Sequence, residues 1–212
     1  KNPNKLWLFG PHFCMYDREK KFEKINVKQD NIILTQPSKW PADVYKFMHP
    51  ELIINMKTLS FPVNTDRFNE VNNINQRTEV LIYYKNRKMS ELSFIVDNLN
   101  QRNINNFRIF SYTHKYDEND FINYLKVCKY AIIVDRHESQ GFAIEEMLSC
   151  NIPLLVWNVK SLNQEEGFIH PDYPATSIPY WDERCGEFFY NADEFNDKYK
   201  LFIDISNHII NF

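Results

Sequence analysis

The stretch Tyr130 to Asn158, YAIIVDRHESQGFAIEEMLSCNIPLLVWN, changes its residue pattern repeatedly within a short span. Tyr130 to Val134 is an apolar run of the kind shown by a parallel strand covered on both faces, and Asp135 to Gln140 interrupts it with polar residues. Gly141 then opens a helix. Ile144, Met147 and Leu148 recur at helical spacing with Ala143 beside them, Asn151 supplies a stop, and Ile152 to Trp157 reads as the next buried strand. The pattern predicts a strand, loop, helix, strand unit.

In an open parallel sheet such a unit puts the loop and the helix start at the carboxyl edge, where these folds bind ligands. A helix start presents amide donors and the positive end of the helix dipole, so Gly141, Phe142 and Ala143 are expected to face an anion. Glu138 in the loop and Glu146 in the helix flank that position with seven residues between them. Helical phase does not choose between Glu145 and Glu146, since each lies to one side of the apolar stripe. The residues alone therefore give an anion-binding α/β site with two carboxylates, and two solvated glutamates would produce the same letters.

The segment HESQGFAIEEMLSCNIPLLV resembles the signature of retaining GT-B glycosyltransferases, in particular the family 4-like group (glycosyl transferases group 1). There, Glu, seven residues and Glu bracket a Gly-aromatic-small helix start, and a proline precedes the next strand. The resemblance implies that Glu138 lies beside the donor sugar, that Glu146 holds the ribose, and that Gly141, Phe142 and Ala143 face the diphosphate. It also implies two lobes with Rossmann-like parallel sheets, helices on both faces, and transfer of a sugar from a nucleotide-sugar to an acceptor hydroxyl. No further cofactor or metal is implied, because the nucleotide-sugar is itself the substrate.

Composition sets broader bounds. A chain of 212 residues with 43% hydrophobic and 16% aromatic content can bury a proper core. A formal charge of −3 gives no basic footprint for nucleic acid. No run of 18 apolar residues is present to span a membrane, and the opening KNPNKLWLFG lacks the apolar core of a signal peptide. Cys14, Cys128, Cys150 and Cys185 are far apart, with Cys128 and Cys150 inside predicted helices, so reduced thiols and a cytoplasmic location are expected. The six histidines are scattered and predict no zinc site.

Towards the N-terminus, Lys5 to Phe9 reads as a first strand ended by Gly10-Pro11, leaving His12 past its carboxyl end. His12 is a candidate acceptor-side residue or an ordinary loop histidine. Asn31 to Leu34 is a second strand, Ser38 an N-cap for a helix Lys39 to Met48 with Pro41 in its first turn, and Leu52 to Met56 a third strand. Residues 1–60 are expected to form a partial, acceptor-side lobe. Residues 61–77 read as a linker, whose FPVNTDRF resembles the segment joining the two halves of these enzymes, with Asn64-Thr65 where that pattern has Gly-Val.

A second lobe is expected over 78–191. Glu79 to Tyr84 is a strand, Ser90 to Leu99 a helix burying Leu92, Ile95, Val96 and Leu99, and Asn106 to Tyr112 another strand. The run Asp117 to Asp120 is read as the cap of a helix Phe121 to Lys129, in preference to a metal-binding Asp-x-Asp. Lys85, Arg87 and Lys88 lie in the turn after the first strand of this lobe, where the resembled family keeps its diphosphate clamp as a Gly-Arg and a later Lys. The glycine is absent and the pair compressed; a solvated basic turn is the competing reading. Tyr180, Trp181 and Asp182 either cover the donor or pack on the core, and Asp193 to Ile210, within the closing segment 192–212, is a final amphipathic helix capped by Asn191 or Asp193.

The expected fold is thus α/β and GT-B-like with an incomplete N-terminal lobe. The expected activity is retaining, metal-independent transfer from a nucleotide-sugar to a glycan or other hydroxyl acceptor. A non-catalytic nucleotide-sugar-binding module and a non-hydrolysing sugar-nucleotide epimerase share that architecture.

Overall fold

The computed structural model describes residues 5–11, 31–48, 56–70, 72–170 and 172–209. His12 and Cys14 lie outside them. A small sheet is built from β1 (Trp7–Phe9), β2 (Ile32–Gln36) and, after helix α1 (Lys39–Met48), β3 (Met56–Thr58). Its order is β1-β2-β3, and both pairings are parallel. Of the expected strand Leu52 to Met56, only Met56 is among the described residues, and it opens β3.

The larger sheet takes β4 (Glu79–Lys85), helix α2 (Met89–Gln101), β5 (Phe107–Ser111), helix α3 (Glu118–Leu125), β6 (Cys128–Asp135), helix α4 (Phe142–Ser149), β7 (Leu154–Trp157), β8 (Gly186–Phe189) and helix α5 (Phe195–Ile209). Its order is β5-β4-β6-β7-β8 with every pairing parallel. The order reverses between β4 and β6, and the carboxyl edge at such a reversal is where sheets of this kind usually open a ligand crevice.

Side-chain alternation along the strands produces two cores, one on each face. Leu81 and Tyr83 of β4 with Ala131 and Ile133 of β6 pack against Phe121 and Leu125 of α3 and Ile144 and Met147 of α4. Val80, Ile82 and Tyr84 with Tyr130, Ile132 and Val134 pack against Leu92, Ile95 and Leu99 of α2 and Phe195, Tyr199 and Phe202 of α5. Both faces of the central strands are apolar because both are covered.

Two boundaries differ from expectation for local reasons. Cys128 begins β6 instead of ending a helix: α3 stops at Leu125, and the buried thiol donates to the carbonyl of Tyr130, 3.1 Å away. Val96 is only partly buried, since the α2 stripe runs through Leu92, Ile95 and Leu99. Asp117 caps α3 as its sequence context predicts, its carboxylate accepting from the Asp120 amide at 3.0 Å. In the segment between the sheets, Phe68 enters the core and the buried Arg77 donates to the carbonyls of Asn72 and Cys150.

The small sheet is attached to the larger one at the crevice. Ser38 Oγ donates to the carbonyl of Ser139 at 2.8 Å, Trp40 Nε1 to that of Glu138 at 2.9 Å, and the Tyr180 hydroxyl to that of Pro37. The start of α1 therefore rests on the loop between β6 and α4.

Candidate functional site

The carboxyl ends of β4 and β6 deliver Lys85 and Asp135 side by side, as Cα partners in register. Lys85 Nζ makes an ion pair with Glu138 Oε1, and both side chains are nearly buried. The ammonium also stands 4.5 Å from the centre of the Tyr112 ring, at the end of β5. Burial alone would lower the Lys85 pKa, but the carboxylates of Asp135 and Glu138 more than offset it and hold the amine charged. Asp135 is 1% exposed and its Oδ1 has no hydrogen-bond partner. Burial, then the Glu138 charge, push its carboxyl well above the ordinary range.

Gly141 gives α4 its entry. Its φ of +82° is a left-handed conformation that residues with a Cβ adopt only under strain, and its carbonyl accepts from the amides of Ile144 and Glu145 at 3.0 Å each. The turn brings Gly141 against Glu138: a Cβ built on the glycine would lie 3.6 Å from the Glu138 Cβ. Phe142 is exposed, its ring 5.7 Å from that of Phe61, and Ala143 packs on the core. Gln140 anchors the loop from below. Its Nε2 donates to both carboxylate oxygens of Glu145 and to the Phe61 carbonyl, while its Oε1 accepts from the Phe61 amide.

This arrangement distinguishes the two adjacent helix glutamates that periodicity left equivalent. Glu145 is engaged by Gln140, whereas Glu146 lies toward Glu118, Arg67 and Tyr116. Burial, reinforced by Glu118, raises the Glu146 carboxyl to about 7. Tyr116 lies edge-on to Tyr83, ring centres 6.3 Å apart, and burial, with Glu146 and Asp135, raises its hydroxyl pKa while Lys85 opposes the shift.

The basic turn divides. Arg87 is 2% exposed and commits its guanidinium to the protein. Nε and Nη2 donate to the two oxygens of Glu91 at 2.9 and 2.6 Å, and Nη1 donates to the carbonyls of Asp135 and Trp157 at 3.0 Å each. It thus bolts α2 to the ends of β6 and β7. Lys88 is exposed at the N-cap of α2, its amide donating to Glu91.

A second polar group adjoins the first. Glu165, in the segment after β7, accepts from Asn86 at 3.0 Å and stands 2.7 Å from His170 Nε2. Burial opposes its ionisation, but Asn86, Arg136 and His170 together hold its carboxyl below the usual range. His137 lies 3.7 Å from it; burial and Arg136 push this imidazole down to about 3, so it is neutral. Of the closing residues, Trp181 packs on the core against Phe188, and the half-exposed Asp182 is paired with Arg184. Trp40, Tyr112, Tyr116, Asp135 and Gln140 are crevice residues that no motif singled out.

No protein-family model and no curated protein sequence matches the chain. Among solved structures it is similar to a chain in the crystal structure of accessory secretory protein 1, 2 and 3 in Streptococcus pneumoniae, with a TM-score of 0.51 and 12% identity. The match covers 90% of this chain and 41% of that one, and at this identity it bears on the fold alone. Fold and crevice together define a GT-B-like α/β protein with Rossmann-like parallel sheets. No helix among the described residues is long and apolar enough to cross a membrane.

Proposed function

We propose that the chain is a glycosyltransferase that binds a nucleotide-sugar in this crevice and passes the sugar to the hydroxyl of a glycan or other acceptor with retention of configuration. The observation supporting this reading is the position of Glu138. Its carboxylate meets Lys85 at the carboxyl edge of the sheet, its Cβ faces Gly141 at the start of α4, and its carbonyl receives Trp40 from the other lobe. In this reading the diphosphate lies at the positive end of α4, along Gly141, Phe142 and Ala143, with Lys85 as the near cation and Lys88 at the rim. Glu146 takes the ribose and Glu138 orients the sugar. Fixed positive groups at the helix start stabilise the departing diphosphate without a metal bound to it.

Arg87 favours a second reading, a non-catalytic nucleotide-sugar-binding module. Its donors face Glu91 and two carbonyls, so Lys85 and Lys88 remain as the clamp. An accessory protein of that kind would bind a donor and not turn it over.

Thermal unfolding of the chain with a panel of nucleotide-sugars and nucleoside diphosphates tests both. A true ligand at a hundredfold excess over Kd stabilises by about 2.7 kcal/mol. Stabilisation with slow donor hydrolysis supports the enzyme, stabilisation without it supports the module, and no response to any nucleotide overturns both.

A further inference from the structure

Two of the scattered histidines meet in space. One potential ligand atom from each of His137, Glu165 and His170 lies within 4.8 Å of the other two. Glu165 Oε2 is 3.7 Å from His137 Nε2 and 2.7 Å from His170 Nε2. We propose that these three side chains bind a divalent transition-metal ion of the zinc class, fastening the segment after β7 to the loop that carries Glu138.

The separations suit such an ion. Ligand atoms about 2.0 to 2.1 Å from a tetrahedral zinc are about 3.3 Å from one another. Glu165 Oε2 departs from that spacing by about half an ångström in either direction, within the reach of small side-chain rotations. Two imidazoles and one carboxylate favour a borderline metal over magnesium or calcium, which prefer oxygen ligands alone. His137 and Glu165 are buried, which fixes their direction, and His170 is partly exposed, which gives an entry path and leaves the remaining coordination position to water. Asn86 donates to the other oxygen of Glu165 and orients the carboxylate, as outer-shell groups do.

Arg136 is the cation that now neighbours the cluster. Its Nε stands 3.2 Å from Glu165 Oε1 yet off the hydrogen-bond axis, without a hydrogen-bond partner, and its Nη1 is 3.2 Å from His137 Nε2. The side chain is 27% exposed and can turn outward when the metal enters. The site goes beyond the donor-binding reading, because Glu138, Lys85 and the α4 start are not among its ligands.

Cobalt(II) titration of the metal-stripped chain, followed by visible absorption, tests the site. One equivalent is expected, with ligand-field bands and no thiolate charge-transfer band, and His170→Gln and Glu165→Gln each weaken uptake at least about tenfold. A His114→Gln control, remote in sequence and exposed, leaves uptake unchanged. Independently of any variant, zinc should move the imidazole nitrogen resonances of His137 and His170. Absence of saturable uptake, a thiolate band, uptake indifferent to both ligand substitutions, or zinc shifts confined to other histidines would overturn the proposal.

Discussion

The Lys85 ammonium is paired with the Glu138 carboxylate across the carboxyl ends of β4 and the loop after β6, with Asp135 beside both. Two carboxyl groups therefore share one lysine in a nearly buried setting, and burial raises the cost of ionising Asp135. Asp135 takes that cost, and its carboxyl is driven well above its ordinary range. The Lys85 amine, held charged by its two neighbouring carboxyl groups, is the cation that an anionic donor would meet.

Arg87 is expected to be a stability residue. Arg87→Met would take the opposite charge from the Glu91 carboxylate, leave the Asp135 carbonyl with the Ser177 hydroxyl and Glu91 with the Lys88 amide, and strip the Trp157 carbonyl of its guanidinium donor, at a cost of about 3 kcal/mol by urea unfolding. Arg87→Lys keeps the charge but not the fork, and should recover only part of that. A loss under about 1 kcal/mol for Arg87→Met would show that the network contributes little.

Gly186 opens β8 at φ +129°, directly opposite Leu154 in register. A Cβ there would lie 2.1 Å from the Leu154 carbonyl oxygen, and neither backbone can yield without breaking the β7–β8 pairing. Gly186→Ala should destabilise by about 3 kcal/mol or more. Gly141→Ala, where the nearest atoms are 3.6 Å away, meets strain alone and should cost about 1 to 2 kcal/mol. Comparison of the two unfolding midpoints checks the order; an equal cost would contradict it.

Much of this architecture was legible because its signals are local. Ser38 and Pro41 mark the start of α1, whose expected span Lys39 to Met48 coincides with the observed one. Apolar runs locate β4, β6 and β7 to within a residue or two, because strands covered on both faces have no polar face to break the run. Cys128 misleads because a small apolar thiol suits a helix end as well as a strand start. Arg87 reads as a phosphate ligand until Glu91, four residues later in the first turn of α2, and two distant carbonyls are seen around it. The i,i+4 spacing of that pair was visible; the carbonyls were not. His137, Glu165 and His170 belong to loops on either side of β7, and chain-local spacing carries no trace of their meeting.

Glu146 should impose a pH dependence on stability. Its carboxyl rises from the ordinary 4.5 to about 7 in the fold, so the native state binds the proton more tightly than the unfolded chain. The sign follows from linkage: stability falls as pH rises from about 4.5 to about 7 and levels off above. The group is partly solvated, so the amplitude is discounted to about 1 kcal/mol. Glu146→Gln should flatten that slope and stabilise the protein at pH 8. Urea midpoints measured from pH 4.5 to 8 decide, and an unchanged slope in the variant would assign the dependence to another group.

The two carboxylates should separate in function as they do in space. Glu146 lies toward Glu118, Arg67 and Tyr116, while Glu138 is paired with Lys85 beside Gly141. A charge-assisted hydrogen bond from Glu146 to a ribose is worth about 1.5 to 3 kcal/mol, so Glu146→Gln should weaken donor and free nucleoside diphosphate alike by roughly ten- to a hundredfold. Glu138→Gln keeps the shape of the side chain and removes the charge next to the sugar. Diphosphate affinity should change little, while turnover of the donor falls, because an interaction felt mainly in the transition state appears in kcat. Calorimetric affinity for the diphosphate, set beside transfer or hydrolysis rates for both variants, reads the division directly. Equal weakening of diphosphate binding by both substitutions, or no effect from either, would remove these glutamates from the donor site.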